Sequence, residues 1–293
     1  MVGALGVPLL AILFLLISGS NVEGIAIQRA TNVPAPAEFA ARALWVVSAT
    51  ALAAGEIGII ALSIAVIRRH AGVRTRAWLR RTLFVSIAAF AATLTFSVLD
   101  TWFGLRVSSG ALRTLRTRVP MREFFHGFNA AGAVPTVFLV SAVAATLSRF
   151  GSGTPPGEPP DPEGTAGDLR LLLNSIGAML AVAVIEIFAL HNWAHACVSP
   201  EQQPTVRSVA LTLSSGVGAF YTVFLAAVFI PAFMRLRYEA ARMHREHLRT
   251  GTPDAHIMPS WRDTLGRLAA VVVPLLTGGA LPTVVEALSR FWV

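Results

Sequence analysis

Glu56 in TALAAGEIGIIAL and Glu186 in AVAVIEIFAL each set a carboxyl group inside a long apolar run. A charge at such depth in a membrane costs about 2.5–3.5 kcal/mol even on the mild insertion scale, so an ionisable residue there is a functional candidate by default. Neither glutamate has a cation within its own run, and the chemistry open to such a pair is proton exchange in a cavity between helices. The structural alternative is that each carboxyl is uncharged and hydrogen-bonded to a neighbouring helix. Ala51, Ala54, Gly55 and Gly58 surround Glu56 with small residues, which fits the close helix contact that this alternative needs.

A second set lies in HNWAHAC. At about 100° per residue His191 and His195 sit roughly 40° apart on one helical face, whereas Glu186 falls about 140° from His191 and opposite His195. The glutamate therefore does not belong with the histidines. Asp100, Glu123 and His126 reach the same membrane surface in the topology derived below, so Asp100, His126, His191 and His195 form a candidate outer-face ligand cluster. Imidazole nitrogens could bind a transition metal with Asp100 as co-ligand or orienting acceptor, and His126 with His191 or His195 is the one combination suited to axial ligation of haem. The competing reading is an ordinary helix end, with Trp193 and Trp102 in the aromatic belt. That reading is preferred: no cofactor is expected, metal is assigned to none, and haem or a transition metal on His191 and His195 is the alternative. His244 and His247 are three residues apart, but arginines surround them. The single cysteine, Cys197, rules out an internal disulfide and any Cys-based zinc or iron–sulfur site. No HExxH, GxSxG, Walker or Rossmann pattern occurs, so no catalytic residue is assigned and enzymatic activity stays an open question that leans towards none.

The elements that must position these groups follow from composition. Hydrophobic residues make up 54% of the chain and charged residues 14%, too little charge to clothe a globular core, and lipid must supply the rest of the surface. A bilayer core of about 30 Å needs roughly 20 apolar residues in a helix. Segments near or above that length run over 2–18, 43–67, 82–105, 127–148, 171–196 and 208–234. The expected fold is an all-α polytopic transmembrane bundle of about six spans, with a C-terminal amphipathic and re-entrant helical element. Segment 2–18 reads as a retained anchor in preference to a signal peptide, because it lacks a basic stretch before it. Residues 1–148 form an N-terminal membrane half. The stretch 149–170, rich in Gly, Pro and acid, reads as a disordered linker. A C-terminal half over 171–250 comprises two spans and a solvated helical extension. In 251–293, Pro274, Gly278, Gly279 and Pro282 interrupt an apolar run, giving an interfacial or re-entrant helix pair in preference to a broken seventh span.

All 24 basic residues are arginine, which points to a high-GC genome and a bacterial source. The net charge of +8 comes from arginines at the ends of apolar runs, where they orient helices and meet headgroups, so nucleic acid is not an expected partner. Loops 68–81, 149–170 and 235–267 hold 15 arginines against 8 in loops 19–42, 106–126 and 197–207, which assigns the first set to the cytoplasm of a bacterial inner membrane. Within 106–126, Arg113, Arg116, Arg118 and Arg122 line a basic interfacial helix suited to anionic lipid or another anionic ligand. The polar residues Thr93, Thr95, Ser97 and Asp100 of the third segment, and Thr212, Ser214, Ser215, Tyr221 and Thr222 of the sixth, are too sparse for a wide pore. The first functional reading is thus a non-enzymatic sensor or assembly subunit, with a protein partner at the cytoplasmic C-terminal region. The second is a small proton-coupled transporter or channel using Glu56 and Glu186. A haem- or metal-binding redox protein using His126, His191 and His195 comes third.

Overall fold

The computed structural model describes residues 30, 35–103, 115, 127–128, 130–148, 162–250, 271–278 and 280. Every element among them is helical: α1 (Ala35–Ala71), a 3-10 turn (Gly72–Arg74), α2 (Thr75–Phe103), α3 (Ala133–Ser148), α4 (Pro162–Cys197) and α5 (Gln203–Thr250). Helical backbone recurs at 271–278. In α1, Glu38 in the first turn and Arg68, Arg69 and His70 in the last match the helix dipole at both ends. Gly72, at φ +51°, supplies the left-handed residue that turns the chain from α1 into α2. Four helices are long and apolar enough to cross a membrane: α1, Thr75–Thr95 of α2, α4, and Gln203–Met243 of α5.

Six spans are not found among the described residues. Segment 2–18 lies outside them, and the expected span over 127–148 is interrupted at Gly132, leaving α3 with 16 residues, about 24 Å of helix against a core of about 30 Å. The expected disordered linker over 149–170 also needs correction. Residues 162–170 are the first turns of α4, in which Thr165, Ala166, Asp168 and Leu169 are buried. Proline and acid, read as loop composition, are equally the composition of a helix start: Pro162 opens α4 and Glu163 lies in its first turn. Residues 149–161 lie outside the description.

α1 and α4 run antiparallel along most of their lengths. Trp45 meets Glu186 and Trp193, a Cβ on Gly55 would lie 3.1 Å from Met179, and His70 meets Asp168. Leu139 of α3, Leu169, Leu172 and Ile176 of α4, and Leu225 and Phe229 of α5 are fully buried in the main core. Phe39, Ile57, Phe84 and Met234 instead face outwards. Helices apolar on all sides, with large side chains turned both in and out, suit a lipid surround and not water. The chain is therefore an integral membrane helix bundle.

At one end of the pair Asp168 accepts hydrogen bonds from Arg69 and His70, the latter at 2.7 Å. At the other the Ala30 amide donates to the Cys197 carbonyl at 2.9 Å. α5 continues as one helix through Pro231 to Thr250, and its expected pair forms between Arg242 and Glu239 at 3.4 Å.

Candidate functional site

The cavity between the helices is built around a fault in the backbone. Gly132 is a turn residue whose amide donates to the Phe128 carbonyl at 3.3 Å, and Pro135 has no N–H with which to continue the ladder back towards residue 131. The Thr136 hydroxyl donates to the Gly132 carbonyl at 2.9 Å, which satisfies that carbonyl at the interruption. Irregular backbone at membrane depth is tolerated where it is buried in protein or lines a cavity. Here a cavity of about 230 Å³ adjoins it, walled by Phe128, Gly132, Ala133 and Thr136 together with α1, α2, α4 and α5.

Glu56 from α1 and Glu186 from α4 both line this cavity, close enough for their charges to interact. Tyr221 from α5 joins them, half-buried and within electrostatic reach of both carboxyls. Thr93 of α2 adds a further hydroxyl. Two acids 130 positions apart in sequence thus line one shared cavity. Glu186 is 2% exposed and is held in place, because the Trp45 indole Nε1–H donates to its Oε1 at 2.7 Å. Glu56 is half-buried and makes no side-chain hydrogen bond among the described residues. The space has room for several waters, and a free carboxyl beside it can exchange protons with them.

The histidines lie elsewhere. His191 is buried, and its Nδ1–H donates to the Ile187 carbonyl at 2.7 Å, leaving Nε2 without a hydrogen bond among the described residues. His195 is half-buried. Trp193, expected in the aromatic belt, is 1% exposed; its ring packs on Trp45 at 5.5 Å between centroids, with the Arg42 guanidinium over it at 5.7 Å. The correction follows from the length of α1, which begins at Ala35 and covers this end of α4 instead of leaving it to headgroups. Among the described residues no three His, Cys, Asp or Glu side chains come together as metal ligands. His126, Glu123, Arg113, Arg116, Arg118 and Arg122 lie outside the described residues, as does the Asp100 side chain.

No family model, curated protein or solved structure matches the chain. The functional reading accordingly stands on the geometry of the site. Sequence reasoning found both glutamates, and it counted Thr93 and Tyr221 only as scattered polar residues. It missed Trp45, whose place in an apolar run gives no sign of a partner 141 residues away. The Arg69–His70–Asp168 cluster was missed for the same reason, Asp168 having been assigned to a linker.

Proposed function

We propose that this chain is a small proton-coupled membrane transporter in which Glu56 and Glu186 exchange protons within the cavity. One observation carries the reading: two carboxyls from neighbouring membrane helices converge, with Tyr221, on a space that adjoins a broken helix. Acids kept only to bind helices together would each be engaged with a neighbouring helix and would need no cavity. Glu186 meets the first condition through Trp45, and Glu56 has no such partner among the described residues. This moves transport ahead of the sensor or assembly subunit that the sequence suggests first. The all-arginine basicity and its loop asymmetry favour a bacterial inner membrane as the setting, with the Arg69–Asp168 end in the cytoplasm.

The division of labour follows from the hydrogen bonds. Glu186, bonded to Trp45, has a fixed carboxyl whose loss of charge or regain of it is coupled to the α1–α4 contact. Glu56 is free to meet whatever occupies the cavity. Replacement of either by Gln keeps hydrogen-bonding capacity and removes the proton-carrying function. Glu56→Gln and Glu186→Gln are expected to insert and to elute as the wild type does, while pH-dependent flux in proteoliposomes, followed with an internal pH dye, is abolished. Full pH-dependent flux in both variants would eliminate the proton-relay role.

A further inference from the structure

The cavity has a chemical bias beyond its two acids. No Arg or His lines it among the described residues, so none of these gives the carboxyls a built-in counter-ion. The remaining wall is mostly carbon and sulfur: Leu52, Met179 and Leu180 with the rings of Phe128 and Tyr221. Of its polar side chains, Glu186 is engaged by Trp45 and Thr136 by the Gly132 carbonyl. Glu56, Thr93 and Tyr221 keep theirs uncommitted among the described residues. The Tyr221 hydroxyl is the telling one, since its half-buried side chain lines the cavity with both carboxyls and makes no hydrogen bond among the described residues.

A hard divalent cation fits such a wall poorly. Calcium takes six to eight oxygens and magnesium surrenders its waters reluctantly, while three uncommitted oxygen-bearing side chains cannot replace a hydration shell. A cation that carries its own apolar surface fits well. Its charge would face Glu56, its body would lie against the aliphatic and aromatic wall, and ring faces and thioethers attract such weakly hydrated cations. The volume of about 230 Å³ falls below the roughly 300–1,000 Å³ of pockets that hold drug-sized ligands, so the ligand is small.

We propose that the cavity binds a small organic monocation, an amine or quaternary ammonium with an attached apolar group, in competition with a proton on Glu56. The inference rests on the transport reading only for what happens after binding. Charge balances at the site: as the cation docks against the carboxylate, one proton leaves Glu56 for the water. The titratable groups on the cavity are Glu56 from α1, Glu186 from α4 and Tyr221 from α5; α2 and the 128–136 stretch contribute none among their described lining residues. Lower pH protonates the carboxylate and so weakens binding.

The test is calorimetric titration of the full chain in mild detergent with benzyltrimethylammonium, benzyl alcohol and sodium chloride as separate probes. The quaternary ammonium has no N–H, so it reports charge and apolar fit without hydrogen bonding. Saturable binding of benzyltrimethylammonium is expected, weaker in acidic than in alkaline buffer, with no saturation by benzyl alcohol. Glu56→Gln should weaken it tenfold or more, and Glu56→Asp should restore much of it. The proposal is overturned if the wild type does not bind the cation saturably, if it binds benzyl alcohol equally well, or if Glu56→Gln elutes as the wild type does and binds unchanged. It is also overturned if sodium binds in preference. The two readings fail separately. Cation binding with full pH-dependent flux in both Gln variants removes proton coupling and keeps the ligand class, whereas sodium-linked proton flux without cation binding does the reverse.

Discussion

Trp45 does two jobs at the level of single residues: its ring packs on Trp193, and its indole N–H is the hydrogen bond of a carboxyl that is 2% exposed. Trp45→Phe keeps an aromatic ring and removes only the donor. A buried acceptor left without its partner costs about 1–3 kcal/mol, so this variant should unfold at a lower temperature in detergent than the wild type. Glu186→Gln, whose amide oxygen can still accept from the indole, should melt close to the wild type. Equal melting of Trp45→Phe and wild type would mean that the bond contributes nothing to stability. The contrast also marks what was legible in the sequence. Glu56 and Glu186 stood out because a carboxyl in an apolar run is expensive wherever the helix packs. Trp45 costs nothing in such a run, so nothing local announces its partner on another helix. His191 could be given its helical face from residue spacing, but its burial depends on how far α1 extends, and that is a tertiary fact.

Helix type was the legible part at the level of elements, and helix ends were not. Apolar runs located α1, α2, α4 and α5, yet α1 extends eight residues before the expected span and four beyond it. Segment 127–148 has the composition of a span and still breaks at Gly132, because the glycine and the nearby Pro135 interrupt the ladder without lowering the hydrophobicity of the run. The reverse happened near the C-terminus. Pro274 and Gly278 interrupt the run in composition, and the helical stretch 271–278 instead uses them for docking: a Cβ on Gly218 would lie 2.6 Å from the Pro274 carbonyl oxygen, and one on Gly278 would lie 2.8 Å from that of Ser214. These contacts fall eleven to fifteen residues into α5, about 17–23 Å along it, a depth that suits a re-entrant or broken span and not a helix lying on the surface. Ser214 and Gly218 on α5 and Gly278 opposite them are small enough to allow such close approach. This makes the sign of one substitution informative. Alanine is the better helix former by about 0.5–1 kcal/mol, so propensity alone predicts that Gly218→Ala stabilises α5. Packing predicts a loss, because the new methyl group must push a backbone carbonyl aside, at a cost of about 1–3 kcal/mol. A lowered melting temperature is expected, and a raised one would show that 271–278 does not sit against Gly218.

For the molecule as a whole, the antiparallel pairing of α1 and α4 links the sidedness of separate loops. His70 and Asp168 meet at one end, and Trp45 and Trp193 pack near the other, so loops 68–81 and 149–170 must share a side. α5 starts at the opposite end, six residues after α4 stops, and returns as a continuous helix to Thr250, which brings Arg242 to the His70 side. Packing shows which parts go together, and the proposed orientation, taken from 15 arginines against 8 in the loops of the expected topology, puts the His70 side in the cytoplasm. Pro159→Cys and Arg242→Cys should therefore be shielded from an impermeant thiol reagent added to intact cells, while Arg116→Cys and Gln202→Cys should react. Cys197→Ser provides the background, and since Cys197 is fully buried its own thiol should stay silent in the native protein. The two failure modes carry different meanings. Labelling of 159 and 242 together from outside would invert the proposed orientation while leaving the helix pairing intact. Labelling of one of them alone would be incompatible with α1, α4 and α5 packing as a single bundle, and the shared cavity of Glu56, Glu186 and Tyr221 would fall with it.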